Sequence, residues 1–199
     1  AEYIPKYEKD KSIAEIFQEL NSLVGLDNIK LMLKDLVNLN EFKKKTDGDI
    51  NLKSTNLHMV FLGNPGTGKT HMSIGLGMKA CQEGYHVYFA HVPNLIIELK
   101  EAKNERILQR LKKKFEKYDL IILDELGYIS FDKEGAELLF NFISSRTEQA
   151  STIFTTNLTF DRWNEIFHDP IITAAMVDRI THQSYVINMN GTSYRLRQT

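Results

Sequence analysis

The sequence has one cysteine, almost no net charge and no long apolar run. A lone Cys81 excludes an intramolecular disulfide framework and favours a reducing, intracellular setting. The six histidines are scattered without the spacing of a metal-binding motif. A formal charge of −1 gives no overall attraction to nucleic acid or to an anionic membrane, so any such binding has to come from a local patch. No stretch approaches the roughly 18 to 20 apolar residues of a membrane span, and the opening AEYIPKYEKDKS lacks the apolar centre of a signal peptide. A soluble, cytoplasmic protein with no membrane partner is expected. Repeats and low-complexity segments are also missing.

What is present is a chain of 199 residues, 42% hydrophobic, enough for one substantial core and at most a small second module. Residues 12 to 42 carry apolar side chains at helical spacing on both sides of Gly25, which predicts two helices, and the polar stretch from Lys43 to Asn56, with Thr46-Asp47-Gly48 as a turn signal, reads as a connector. Beyond it, short apolar runs alternate with amphipathic segments: LHMVFL (57–62), HVYFAH (86–91), LIILD (120–124), STIFTT (151–156) and SYVINM (184–189). Strands alternating with helices imply a parallel sheet covered on both faces. The expected organisation is an N-terminal helical segment and linker, 1–56, and an α/β core, 57–199.

The stretch GNPGTGKTH contains Gly63, Gly68, Lys69 and Thr70 at the spacing G-x-x-x-x-G-K-S/T of a phosphate-binding loop. It sits between a buried-strand run and a predicted helix, Lys69 to Gln82, the context the motif requires. Loop residues Gly63, Asn64, Pro65, Gly66, Thr67 and Gly68 would turn backbone N–H groups toward phosphate oxygens. Lys69 brings a positive charge, Thr70 a hydroxyl for Mg²⁺, and His71 follows at the start of the helix. In DLIILDELGY four apolar residues precede Asp124 and Glu125. Taken alone this is as well a strand followed by a solvated turn. Beside a phosphate loop, Asp124 can bind Mg²⁺ through water, and Glu125 can polarise the water that attacks a nucleotide's γ-phosphate. In STIFTTN, Asn157 is either a turn residue or a group that positions that water, because the strand beside the carboxylate strand ends at the same place.

With these residues in view, the stretch from Gly63 to Arg195 resembles the IstB-type AAA+ ATPases, helpers of insertion-sequence transposases and relatives of the DnaC-type helicase loaders. The resemblance rests on GNPGTGKTHMSIGLGMKAC, DLIILDELGY, LLFNFISSR, STIFTTNLTFDRW, FHDPIITAAMVDRITH and GTSYR, in family order. It implies a P-loop, three-layer αβα fold with a five-stranded parallel sheet and a reduced or absent C-terminal lid. It also implies ATP and Mg²⁺ as cofactors, head-to-tail assembly into a ring or helical filament, double-stranded DNA as a ligand, and a transposase or helicase as partner. Residue by residue, Lys69 and Thr70 become the nucleotide and Mg²⁺ residues and Asp124 and Glu125 the second acidic motif. Asn157 becomes the first sensor, Arg179 the arginine finger acting on a neighbouring subunit's nucleotide, and Arg195 the second sensor. Arg146 is a weaker interface candidate.

The front of the chain, SLVGLDNIKLMLKDLVNLNEF, instead is similar to the CbbX and stage V sporulation AAA+ group. That likeness offers a hybrid origin and a protein-remodelling ATPase as the alternative function; both families place an apolar segment against the adenine, so Val24 and Gly25 are candidate adenine contacts under either resemblance. Residues 100 to 117, KEAKNERILQRLKKKFEK, read as a basic helix: Lys103, Arg106, Arg110, Lys112, Lys113 and Lys114 form either a solvated face or a sequence-independent contact to the DNA backbone.

Overall fold

The computed structural model describes residues 58–147, 149–182, 184–191 and 193. The readings that fall on 1–57, the two front helices, the connector and Val24 and Gly25 among them, lie outside the described residues, as does Arg195.

Five strands form the sheet: β1 (His58–Leu62), β2 (Val87–His91), β3 (Leu120–Leu126), β4 (Ser151–Thr156) and β5 (Ser184–Asn188). They coincide with the five apolar runs to within two residues at either end. All neighbours pair in parallel, in the order β2-β3-β4-β1-β5. Parallel strands need long crossovers, and the helices supply them: α1 (Lys69–Gln82), α2 (Val92–Asn104), α3 (Leu108–Phe115), α4 (Lys133–Thr147), the single turn α5 (Asn164–Phe167) and α6 (Pro170–Thr181). Both faces of the sheet are buried, and the period of two sorts its side chains. Val60, Ile121, Leu123 and Phe154 join α2, α4 and α6 in one core with Trp163 and Phe142. From the opposite face Ile122 meets α1 at Gly77, where an added Cβ would come within 2.8 Å of Ile122 Cδ1.

The strand order decides where chemistry can occur. β4 lies between β1 and β3, so the loop after β1, the end of β3 and the residue after β4 come together at one edge of the sheet. This is the carboxyl end of the strands, where open α/β sheets bind ligands.

The run from 100 to 117 is not one helix. α2 ends at Asn104 and α3 begins at Leu108, with Arg106 between them in the left-handed region at φ 61°. Its charge is also partly spent inside the molecule: Lys100 binds Asp132 at 2.7 Å, Lys103 binds Glu134 at 2.6 Å, and Lys114 lies 3.5 Å from Glu98 and against the rings of Tyr88 and Phe115. Arg106, Arg110 and Lys113 remain exposed and Lys112 half-buried.

Candidate nucleotide site

The turn from β1 into α1 is shaped by what lies against it. The Met189 amide donates to the Leu62 carbonyl at 2.6 Å, and a Cβ on Gly63 would stand 2.6 Å from the Met189 carbonyl oxygen, so only glycine allows the last strand's exit to run this close. Gly66 adopts φ +78°, and a Cβ there would collide with the Ser193 hydroxyl. Gly68, left-handed, starts α1 with no side-chain cap, so the first-turn N–H groups of the helix are left to point out of its N-terminus. Thr67 Oγ1 donates to the Asn64 carbonyl at 2.8 Å and closes the loop on itself. The Lys69 ammonium, almost fully buried, is held inside by the Gly63 and Asn64 carbonyls at 2.6 and 2.7 Å. His71 is exposed and Thr70 half-buried.

β3 leaves the regular ladder at the two carboxylates. Leu123 pairs with Phe154 and Leu126 with Thr156, so Asp124 and Glu125 together stand opposite Thr155 alone. Such a bulge re-aims side chains, and here Glu125 takes φ 63°, a left-handed conformation unusual for a residue with a Cβ. Consecutive residues of a flat strand would point to opposite faces. Instead both carboxylates reach the same histidine: His91 Nδ1, at the end of neighbouring β2, is 3.4 Å from Asp124 Oδ2 and 3.6 Å from Glu125 Oε2. One hydroxyl fixes the arrangement. Thr155 accepts from the Glu125 amide at 3.0 Å and donates to Asp124 Oδ1 at 2.6 Å. Thr70 Oγ1 donates to the same Oδ1 at 2.9 Å, which joins the phosphate loop to the carboxylate strand. Asp124 is 1% exposed and its Oδ2 makes no hydrogen bond.

The predicted residues are therefore brought together in the main. Lys69, Thr70, Asp124 and Glu125 converge, and half-buried Asn157 follows the last residue of β4, whose Thr156 carbonyl accepts from the Gly63 amide at 3.3 Å. Oxygen donors of Thr70 and Asp124 side by side suit a hard cation such as Mg²⁺. Arg179 lies on α6, its guanidinium 5.2 Å from the centroid of the Phe140 ring on α4. Arg146 is not an interface residue. It is 3% exposed, and its guanidinium donates to the Phe115 and Tyr118 carbonyls at 2.9 and 2.7 Å, tying α4 to the end of α3. Sequence reasoning missed His91 and the roles of Thr155, Met189 and Ser193. Their distance from the motifs along the chain hides them, and the strand order alone reveals that they meet.

A parallel sheet ordered in this way, with a phosphate loop after β1 and paired carboxylates ending β3, defines a P-loop protein of the AAA+ class. The chain belongs to the IstB-like ATP binding protein family, whose profile matches residues 43–199. It is 41% identical over 141 residues to the insertion sequence IS5376 ATP-binding protein of Geobacillus stearothermophilus, covering 71% of this chain and 56% of that one. It is likewise 41% identical over 140 residues to the IS232 ATP-binding protein of Bacillus thuringiensis, covering 70% of this chain and 56% of that one. The chain thus spans a little over half the length of these curated relatives. Among solved structures it is similar to the DnaC helicase loader, with a TM-score of 0.64 and 19% identity over 91% of this chain and 93% of that one. These matches give the CbbX likeness of the front segment, and a hybrid origin, no support.

Proposed function

We propose that this chain binds and hydrolyses ATP with Mg²⁺ as a transposition helper. The observation that carries the reading is the Thr70 to Asp124 hydrogen bond beside the Glu125 bulge, because it unites the phosphate loop, a cation-binding oxygen pair and a carboxylate turned out of its strand. Bound Mg²⁺ would neutralise charge on the β- and γ-phosphates. Lys69 would exchange its two loop carbonyls for phosphate oxygens, and the amides around Gly66 and Gly68 would cradle them. Glu125 would take the proton of the attacking water, with Asn157 holding that water in line. Arg179 would act on the nucleotide of a neighbouring subunit and Arg195 on its own, with Val24 and Gly25 against the adenine. Subunits joined head to tail make a heterologous contact that closes into a ring or extends as a helical filament. The basic residues Arg106, Arg110, Lys112 and Lys113 would meet the backbone of double-stranded DNA, and a transposase, or by analogy a helicase, would be the protein partner.

The test is Glu125→Gln. It should retain ATP binding and lose hydrolysis by about 100-fold or more, the usual worth of a general base. Equal turnover in both proteins removes Glu125 from the mechanism.

A further inference from the structure

The histidines show no metal-binding spacing in the sequence, yet the fold brings His91, which the nucleotide reading leaves unused, against the two carboxylates. His91 Nδ1, Asp124 Oδ2 and Glu125 Oε2 all lie within 4.8 Å of one another. We propose that these three side chains form a binding site for a borderline divalent cation of the Zn²⁺ and Co²⁺ type, occupied without nucleotide.

Three observations carry it. Ligands at about 2.0 to 2.2 Å around a tetrahedral ion are spaced by roughly 3.3 to 3.6 Å from each other. The two distances from His91 Nδ1, 3.4 and 3.6 Å, match that edge, while both are too long for a strong hydrogen bond. The buried Asp124 Oδ2 makes no hydrogen bond and faces the imidazole. Leaving a carboxylate oxygen in that condition is costly, and a cation bound there removes the cost. Finally, the left-handed backbone at Glu125 turns its carboxylate to the same side as Asp124, and strain of that kind persists where the surroundings fix it, here through the Thr155 hydroxyl. The half-exposed Glu125 side chain can swing to close the remaining gap.

The site shares Asp124 with the one suited to Mg²⁺ but uses its other oxygen. Asp124 Oδ1 faces Thr70 and Thr155, an all-oxygen setting, whereas Oδ2 faces a nitrogen ligand. Imidazole selects Zn²⁺ and Co²⁺ over Mg²⁺, which holds its water shell and prefers six oxygens. Binding requires nothing of the ATPase reading. A consequence does rest on it: a cation that engages Glu125 takes up the proposed general base, so Zn²⁺ at micromolar excess should slow hydrolysis.

The experiment is a titration of the nucleotide-free full chain with Co²⁺, followed by visible absorption and by displacement with Zn²⁺. One equivalent should bind, with a ligand-field band that Zn²⁺ removes and a large excess of Mg²⁺ does not. Groups that merely support metal ligands are worth about 10- to 100-fold in affinity, so His91→Asn should weaken binding by at least about 100-fold. The His91 and Glu125 side chains are 46% and 44% exposed, so His91→Asn and Glu125→Gln should keep the urea unfolding midpoint of wild type. Both should lose the band. His86→Asn and Cys81→Ser should keep it. No band in the wild-type protein, or equal affinity in His91→Asn, overturns the proposal, and neither result bears on hydrolysis. Unchanged ATP turnover in Glu125→Gln together with the band in the wild-type protein would remove Glu125 from the proposed hydrolysis and leave the cation site standing.

Discussion

The Thr155 hydroxyl donates to Asp124 Oδ1 and accepts from the Glu125 amide, so a single atom sets the direction of both carboxylates. Thr155→Val keeps the shape and removes both bonds. It should lower kcat by about 10- to 100-fold through misplacement of Glu125, with ATP affinity changed far less, as measured by steady-state kinetics beside equilibrium nucleotide binding. Lys69→Ala should do the reverse and abolish most binding, because the charge meant for the outer phosphates is gone. Arg146→Ala belongs to another category. It strips a buried carbonyl at Phe115 and a part-buried one at Tyr118 of their donor, and should cost about 2 to 4 kcal/mol of stability in urea unfolding with no loss of ATP affinity in the folded protein. Unchanged stability would return Arg146 to the surface. The phosphate-loop residues and the carboxylate pair were legible in the sequence because their spacing is local. His91 was not, since nothing near it along the chain hints that β2 lies beside β3.

The strands themselves were legible as buried runs, and α1 to its last residue, because a parallel sheet covered on both faces writes continuous apolar segments. The bulge in β3 was not, because an Asp-Glu pair after an apolar run reads the same whether the strand stops or kinks. The split between α2 and α3 was missed for a similar reason: charged residues predict helix well, and nothing in ILQRL marks the left-handed Arg106. At this scale His58, at the start of β1, ties β1 to β4 and to the end of α4. Its Nδ1 accepts from the Thr152 amide at 3.2 Å and its Nε2 meets the Thr147 carbonyl at 3.0 Å, partners that fit the neutral ring. Burial holds its pKa below the ordinary 6.5, against the opposing pull of that carbonyl. Above pH 6.5 the ring is neutral folded or unfolded. Below it the unfolded chain takes up a proton that the folded chain resists, so stability declines as pH falls from 6.5 toward the lowered folded value. Urea midpoints at about pH 7.5 and about pH 5.5 should differ more in wild type than in His58→Gln. For the basic helices, Lys112→Ala with Lys113→Ala should reduce the slope of log K for DNA against log salt by about 0.9 per lost phosphate contact. Lys103→Ala, whose ammonium already serves Glu134, should change it less. Equal slopes in all three proteins would make these helices a solvated face.

In the whole molecule, Arg179 rests on Phe140 of its own chain and is proposed to serve a neighbour's phosphate loop. An arginine completing transition-state charge across an interface is worth about 10³-fold or more in rate and much less in ground-state binding. Arg179→Ala should bind ATP nearly as wild type and hydrolyse it poorly. Mixed with Lys69→Ala, it should recover activity above the sum of the two, since some interfaces then pair an intact loop with an intact finger. Wild-type turnover by Arg179→Ala alone would end that assignment. No helix among the described residues is long and apolar enough to cross a membrane. The chain's exit from β5 passes directly over the phosphate loop, and this has a genetic meaning. Gly66→Ala crowds the Ser193 side chain, its Cβ at 3.0 Å even once the hydroxyl turns away, so in a selection for function second-site revertants should include Ser193→Gly, far away in sequence. Rescue should be partial, because alanine at φ +78° still bears about 1 to 2 kcal/mol of left-handed strain. Positions 66 and 193 are thereby predicted to vary together across lineages, a glycine at one permitting the serine at the other.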